Sequence, residues 1–149
     1  MDPVDELDGG CVTFLVRHAW LSMRSAVAVA LAEHELSVQQ YGTLLVLAEK
    51  PGCTIAELGR KVGTARQSAN ELITGMERAD LLERRANPAD RRSQQLYLTP
   101  AGHERLSDAT PAVRAVERDL ESAFSPAERA TARAWLERMV TAETPEATT

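Results

Sequence analysis

A change of hydrophobic period between Thr54 and Thr99 restricts this chain more than any other feature. Up to Ala79 the spacing is helical: Ala69, Leu72, Ile73 and Met76 fall at i, i+3, i+4 and i+7, on one helix face that has to pack inward. Beyond it, Leu82–Arg85 and Leu96–Thr99 favour strands, with Asn87-Pro88-Ala89-Asp90 as turn chemistry between them. The order is a short helix over Ile55–Val62, a turn at Gly63-Thr64, a longer helix over Ala65–Ala79, then a hairpin. Few arrangements satisfy it: two helices meeting at a turn, with a β-ribbon directly after them.

The rest of the chain reads as helix. Four Ser or Thr residues are followed three positions later by Glu or Gln, the pattern of a reciprocal helix-start cap: Ser37/Gln40, Thr54/Glu57, Thr64/Gln67 and Ser125/Glu128. Each precedes a helical apolar period, and Pro126 occupies a first-turn position where no backbone donor is needed. A first helix is expected from near residue 10 to Glu35, and a second from Ser37 to Ala48, ended by Lys50-Pro51-Gly52. A fifth runs to about Phe124 and a sixth from Pro126 to Ala142. Gly63 is expected to supply a left-handed stop, and Asp80 to take such a geometry where glycine is usual. Pro111 should kink or break the fifth helix. The first ten and last seven residues are expected to fray.

These readings predict a mostly α fold with a small β-ribbon wing, a winged helix-turn-helix. One domain over 1–149 is expected, with a DNA-binding lobe over 37–99 and dimerisation helices over 10–35 and 100–142. The charge distribution agrees. The chain carries −5 overall, yet the stretch from Gly59 to Arg92 carries +3 and the remainder −8. A basic middle in an acidic chain suits a protein that meets phosphate with one face. On the fourth helix, the side opposite the apolar face shows Arg66, Gln67, Asn70, Glu71 and Thr74. Arg, Gln and Asn match guanine and adenine edges in the major groove, and the first turns of a recognition helix are the end presented to the bases. Arg84, Arg85, Arg91 and Arg92 lie on or beside the hairpin, where a wing straddles the DNA backbone.

The run from Asp90-Arg91-Arg92 through Leu96-Tyr97-Leu98-Thr99-Pro100-Ala101-Gly102 resembles the wing signature of the MarR (multiple antibiotic resistance regulator) family, Asp-x-Arg followed by Leu-x-Leu-Thr-x-x-Gly. Thr54–Leu82 is similar to the same family, and the layout is shared over about residues 10–142. The resemblance implies a transcriptional regulator of double-stranded DNA, a repressor released by a small-molecule effector. It places Arg92 in the minor groove with Asp90 fixing its guanidinium, and Arg66, Gln67, Ser68 and Asn70 at or near the major-groove bases. Glu71 departs from the family's frequent basic residue. Its carboxylate is expected to accept from cytosine N4 or to pair with a nearby Arg.

Two helical seams point to a homodimer on a near-palindromic operator. Val12, Val16, Ala19, Met23, Ala26 and Ala30 alternate four and three residues apart, as do Leu106, Ala109, Val113, Val116, Leu120 and Ala123 in the fifth helix. Intramolecular packing has to consume part of both. By the family resemblance, Arg17, His18, Trp20, Met23 and Tyr41 are candidates to line an effector cleft, although ordinary packing is the better account of Trp20. Cys11, at the start of the first helix, is a candidate redox thiol in the manner of the family's hydroperoxide sensors.

Other classes find little purchase. No Gly-rich phosphate loop, His-Glu-x-x-His or nucleophile elbow nominates an enzyme. No tight His/Cys spacing nominates a metal, and no cofactor is implied. The longest apolar run, Ala26–Ala32, is too short to span a bilayer. The acidic opening, Met1-Asp2-Pro3, does not read as a secretory leader. Two lone cysteines fit a reducing cytoplasm. A winged helix used only for protein assembly remains the alternative, separable by whether the wing arginines act on DNA.

Overall fold

The computed structural model describes residues 11–142. It contains helices α1 (Val12–Ala32), α2 (Val38–Glu49), α3 (Ile55–Val62), α4 (Arg66–Arg78), α5 (Pro100–Glu121) and α6 (Pro126–Thr141), with strands β1 (Cys53–Thr54), β2 (Leu82–Ala86) and β3 (Gln94–Leu98). The expected fraying at both ends concerns residues outside those described. The chain parts into two compact units, one reaching to Val116 and the other beginning at Glu117.

In the first unit the strands form an antiparallel sheet in the order β1-β3-β2. β2 and β3 are the anticipated hairpin, with Leu82 opposite Leu98 and Arg84 opposite Leu96. The third strand is new: Cys53 pairs with Leu96 and Thr54 with Gln95, tying the start of α3 to the wing. The pleat sorts β2 by period 2, so Leu82 and Arg84 share one face while Glu83 and Arg85 share the other. Leu31 and Leu36, Tyr41, Leu44 and Leu47 of α2, Leu58 of α3, Ile73 and Met76 of α4, Leu81, Leu82 and Leu96 of the hairpin, and Ala109 and Val113 of α5 form the core. Complete burial of one such leucine stabilises by about 1.5–3 kcal/mol. The core therefore consumes the first half of the α5 seam.

Three helices of this unit end in the same way. After α1, α3 and α4 a residue adopts the left-handed conformation: Glu35 (φ 54), Gly63 (φ 68) and Asp80 (φ 60). The next amide reaches back five residues, Leu36 to Leu31 O (3.2 Å), Thr64 to Gly59 O (2.9 Å) and Leu81 to Met76 O (3.0 Å). This closure satisfies orphan carbonyls and brings the residue after the turn onto the last helical turn. In α1 and α4 both members of that contact, Leu31 with Leu36 and Met76 with Leu81, are buried. That burial is the return for holding Glu35 and Asp80 in a conformation side chains disfavour.

Helix starts match the sequence at three of four positions. Ser37, Thr54 and Ser125 each form the complete reciprocal cap with Gln40, Glu57 and Glu128. The fourth is a correction. α4 begins at Arg66 with Ala65 in the cap position, and no side chain caps it. Thr64 is already committed, because its amide closes α3. α5 runs unbroken through Pro111, which excludes a break there.

The signature Leu-Thr-x-x-Gly has a packing explanation. Thr99 donates its hydroxyl to Asp80 O and its amide to Leu81 O (3.2 Å), and its hydroxyl oxygen accepts from the Gly102 amide at 3.0 Å. Gly102, in the first turn of α5, then lies against the Leu81 carbonyl, where a Cβ would come within 2.0 Å of the oxygen. Arg105, one turn on, donates to His34 O at 3.2 Å. α5 is thus bolted to the ends of both α4 and α1.

The second unit contains α6. It buries no residue, and Trp135, Leu136, Met139 and Val140 are exposed along it. An exposed pair, Arg133 with Glu121 (3.7 Å), contributes little.

Candidate nucleic-acid interface

α4 projects its polar side because Ala69, Ile73 and Met76 are buried at three- and four-residue spacing. Arg66, Gln67, Ser68 and Asn70 are all exposed on its first turns, and Thr74 is half-buried. Arg66, Gln67 and Asn70 line a cleft with Ile55, the first residue of α3. Guanidinium and carboxamide groups over an apolar floor can donate to and accept from base edges while the aliphatic carbon meets a thymine methyl. Glu71 is exposed and makes no ion pair among the described residues, so the expected pairing with an arginine does not occur.

The wing tip is ordered by its own short polar side chains. Asn87 Oδ1 accepts from the Ala89 amide (3.0 Å), while its Nδ2 donates to Ser93 Oγ (2.9 Å). Asp90 Oδ1 accepts from the Arg92 amide at 2.9 Å. The family resemblance predicts that Asp90 fixes the Arg92 guanidinium. Here the carboxylate instead holds Arg92's backbone, shaping the turn from which the side chain projects. Arg91 and Arg92 are exposed, and among the described residues neither meets a carboxylate within ion-pair distance. Two unneutralised guanidinium groups at the end of a ribbon can meet phosphate or enter a narrow groove.

The two arginines lower on the ribbon behave differently, which the sequence reading did not separate. Arg85 stacks over the Tyr97 ring (4.1 Å to the centroid) and pairs with Glu83, a cation–π contact on the ribbon's outer face. Arg84 turns to the other face and reaches α4. It donates to Asn70 Oδ1 (3.3 Å) and Thr74 Oγ1 (2.8 Å), with Glu77 Oε1 3.6 Å from its Nε. Strand alternation could have flagged this, since Arg84 shares its face with buried Leu82.

The remaining candidates do not converge. Tyr41 is buried in the core and its hydroxyl meets Thr110 Oγ1 at 3.2 Å, whereas Arg17, His18, Trp20 and Met23 are exposed on α1. His18 packs its ring against Phe14, 4.5 Å between centroids. Cys11 sits at the cap position of α1, its Sγ 3.1 Å from Thr13 Oγ1. That hydroxyl, followed by the Phe14 amide, holds the Cys11 thiol below its ordinary value. Burial pushes the Cys53 thiol up. Among the described residues no three His, Cys, Asp or Glu side chains are placed to hold a metal ion. None of the described helices is long and apolar enough to cross a membrane.

Comparison with known proteins agrees with this geometry. The sequence model of the MarR family matches residues 34–93. A putative transcriptional regulatory protein for the hcr operon of Thauera aromatica is 33% identical over 99 residues, which is 66% of this chain but only 60% of that relative's length. An uncharacterised HTH-type transcriptional regulator of Bacillus subtilis, YdcH, is 30% identical over 108 residues, covering 70% of this chain and 74% of the relative. Among solved structures, a mutant MarR from E. coli complexed with operator DNA shares the fold, with a TM-score of 0.82 at 17% identity over 93% of this chain and 99% of that one. With its helix-turn-helix, arginine-tipped wing and Thr99–Gly102 bolt, this chain belongs to the MarR family of winged helix-turn-helix transcriptional regulators.

Proposed function

We propose that the protein is a sequence-specific regulator of double-stranded DNA, acting in the cytoplasm as a homodimer on a near-palindromic operator. α4 would lie in the major groove and the wing tip over the adjacent minor groove. One observation carries the reading: Arg66, Gln67, Ser68 and Asn70 are exposed at the start of α4, on a lobe whose wing presents Arg91 and Arg92 without carboxylate partners among the described residues. A protein-assembly module has no need of paired, unneutralised cations at that edge.

The dimer is supported by apolar surface that each unit leaves uncovered. On α1, Val12, Leu15, Trp20, Leu21 and Val29 are exposed; on α6, Trp135, Leu136, Met139 and Val140 are. Exposed apolar faces of this kind mark association sites. Two-fold symmetry would place half-sites about 34–36 Å apart. Repression, and release by a small-molecule effector, rest on family membership alone.

A salt titration on DNA from the protein's own upstream region, against scrambled DNA, tests the reading. Two-fold-symmetric protection with a specificity gap of about 10³ or more supports it. Equal, weak binding to both duplexes refutes it and leaves the assembly module. A second reading, a thiol switch, is favoured by Cys11, whose half-buried side chain meets a hydroxyl at a helix start. A hydroperoxide would oxidise the thiolate to a sulfenic acid and leave as the alcohol. DNA release by hydroperoxide that disappears in Cys11→Ser supports this switch, and release that persists rejects it.

A further inference from the structure

Arg84 occupies an unusual place for a cation on a DNA-facing ribbon. Its side chain is only 19% exposed, turned from solvent toward α4. The residues it meets, Asn70, Thr74 and Glu77, stand at i, i+4 and i+7, a single stripe beside the buried face of that helix. The Thr74 hydroxyl gives its proton to Asn70 O at 2.9 Å, so its lone pairs are free to receive Arg84. Asn70, itself exposed, accepts at Oδ1 from the guanidinium. The planar fork of an arginine fixes both acceptors together, which the point charge of a lysine cannot do.

This arrangement constrains what Asn70 shows to a ligand. A carboxamide carries an acceptor at one end and two donors at the other, and a free side chain can exchange them by rotation. With Oδ1 held by a cation on the wing side, the amide nitrogen is the end left outward. We propose that Arg84 is a positioning residue for base recognition. It acts through Asn70, locking the carboxamide so that α4 presents a donor to the major groove at that position. The complementary base edges are acceptors (purine N7, guanine O6 or thymine O4), and the cytosine amino group is disfavoured. The wing strand thereby takes part in sequence reading without touching a base. This inference rests on the DNA-binding reading of α4.

The test uses the full chain and a duplex library with randomised half-sites, sequenced after selection by wild type, Arg84→Lys, Asn70→Ala and the double variant. Arg84→Lys keeps the charge and removes the fork. Arg84→Met, which keeps the buried stem, is the second variant should the lysine fail to fold. The expected result is a roughly tenfold loss of discrimination at one base pair per half-site in Arg84→Lys. The same base pair is affected in Asn70→Ala, with no further loss in the double variant. In the DNA-free protein, the Asn70 side-chain amide resonances should shift in Arg84→Lys at unchanged melting temperature. A uniform weakening across all sequences, an unchanged preference, or additive losses in the double variant would overturn the proposal. If wild type itself enriches no sequence, the DNA-binding reading falls, and the inference with it.

Discussion

Replacing Gly102 by alanine should destabilise the protein severely, and the structure says by how much. The added Cβ would lie 2.0 Å from Leu81 O, 3.0 Å from Leu81 C and 3.4 Å from Leu81 Cα. Carbon and carbonyl oxygen ordinarily approach no closer than about 3.3 Å, so the first turn of α5 must retreat by more than an ångström. The obstacle is backbone, held by the Leu81 amide on Met76 O, and cannot swing aside. Overpacking of this kind costs about 1–3 kcal/mol. The retreat also breaks the Thr99 amide bond to Leu81 O and the Gly102 amide bond to Thr99 Oγ1, each worth about 1 kcal/mol. The sum, about 3–5 kcal/mol, is a large share of the 5–15 kcal/mol that holds a typical domain together. A fall of roughly 10 °C in Tm is expected for a chain of this length. The assay is thermal unfolding by circular dichroism at one fixed protomer concentration, because association raises apparent stability. Gly75→Ala is the matched control: Gly75 is exposed in α4 and nothing lies within 4 Å of its Cβ position. That variant should be neutral or gain up to about 1 kcal/mol from helix propensity. If Gly102→Ala melts within about 2 °C of wild type, the close approach to Leu81 is not what the glycine serves.

Arg92→Ala should lower DNA affinity and reduce the slope of log affinity against log salt by about one, because one phosphate-region charge is lost; an unchanged slope removes Arg92 from the interface. Iodoacetamide at about pH 8 should alkylate Cys11 and spare Cys53, since the Thr13 hydroxyl lowers one thiol and burial raises the other. Comparable labelling of both in the native protein, read by mass spectrometry, contradicts this. Amides at Thr54 and Ser125 hold the Glu57 and Glu128 carboxylates below their ordinary 4.5. Their native pKa values are lowered, so the unfolded chain binds more protons; the stabilisation is present above pH 4.5 and lost as pH falls through the native values. Urea midpoints measured from neutral to acid should therefore fall less steeply in Glu57→Gln/Glu128→Gln, which keeps the hydrogen bonds without the charge; an equal acid slope rejects the assignment.

What the sequence disclosed was local. The reciprocal caps at Ser37, Thr54 and Ser125 involve residues three apart, and the left-handed positions at Gly63 and Asp80 follow from single residues at helix ends. The apolar stripe on α4 and the alternation in the hairpin are likewise short-range patterns. β1 escaped because two residues carry no period, and only the pairing of Cys53 with Leu96 makes them a strand. Thr64 misled because one amide cannot be assigned from a motif when a neighbouring helix competes for it. The contact of Arg84 with α4 and the packing of Tyr41 into the core went unread for a related reason. Their partners lie 7 to 69 residues away, and composition alone cannot say whether a cation faces a ligand or a neighbouring helix.

The uncapped start of α4 bears on how stability is distributed over this lobe. The helices beginning at Val38, Ile55 and Pro126 all have side-chain caps, while the one beginning at Arg66 does not. A serine or aspartate at such a position ordinarily contributes about 1 kcal/mol over alanine. Ala65 thus marks unrealised stability at the end of the helix that carries the candidate reading residues. Ala65→Ser should raise the melting point of the free protein. Its hydroxyl would also occupy a first-turn amide that a phosphate oxygen could otherwise accept from, so the gain in durability should come with weaker operator affinity. If α4 meets the operator as proposed, robustness and function in this lobe compete for the same hydrogen-bond donors.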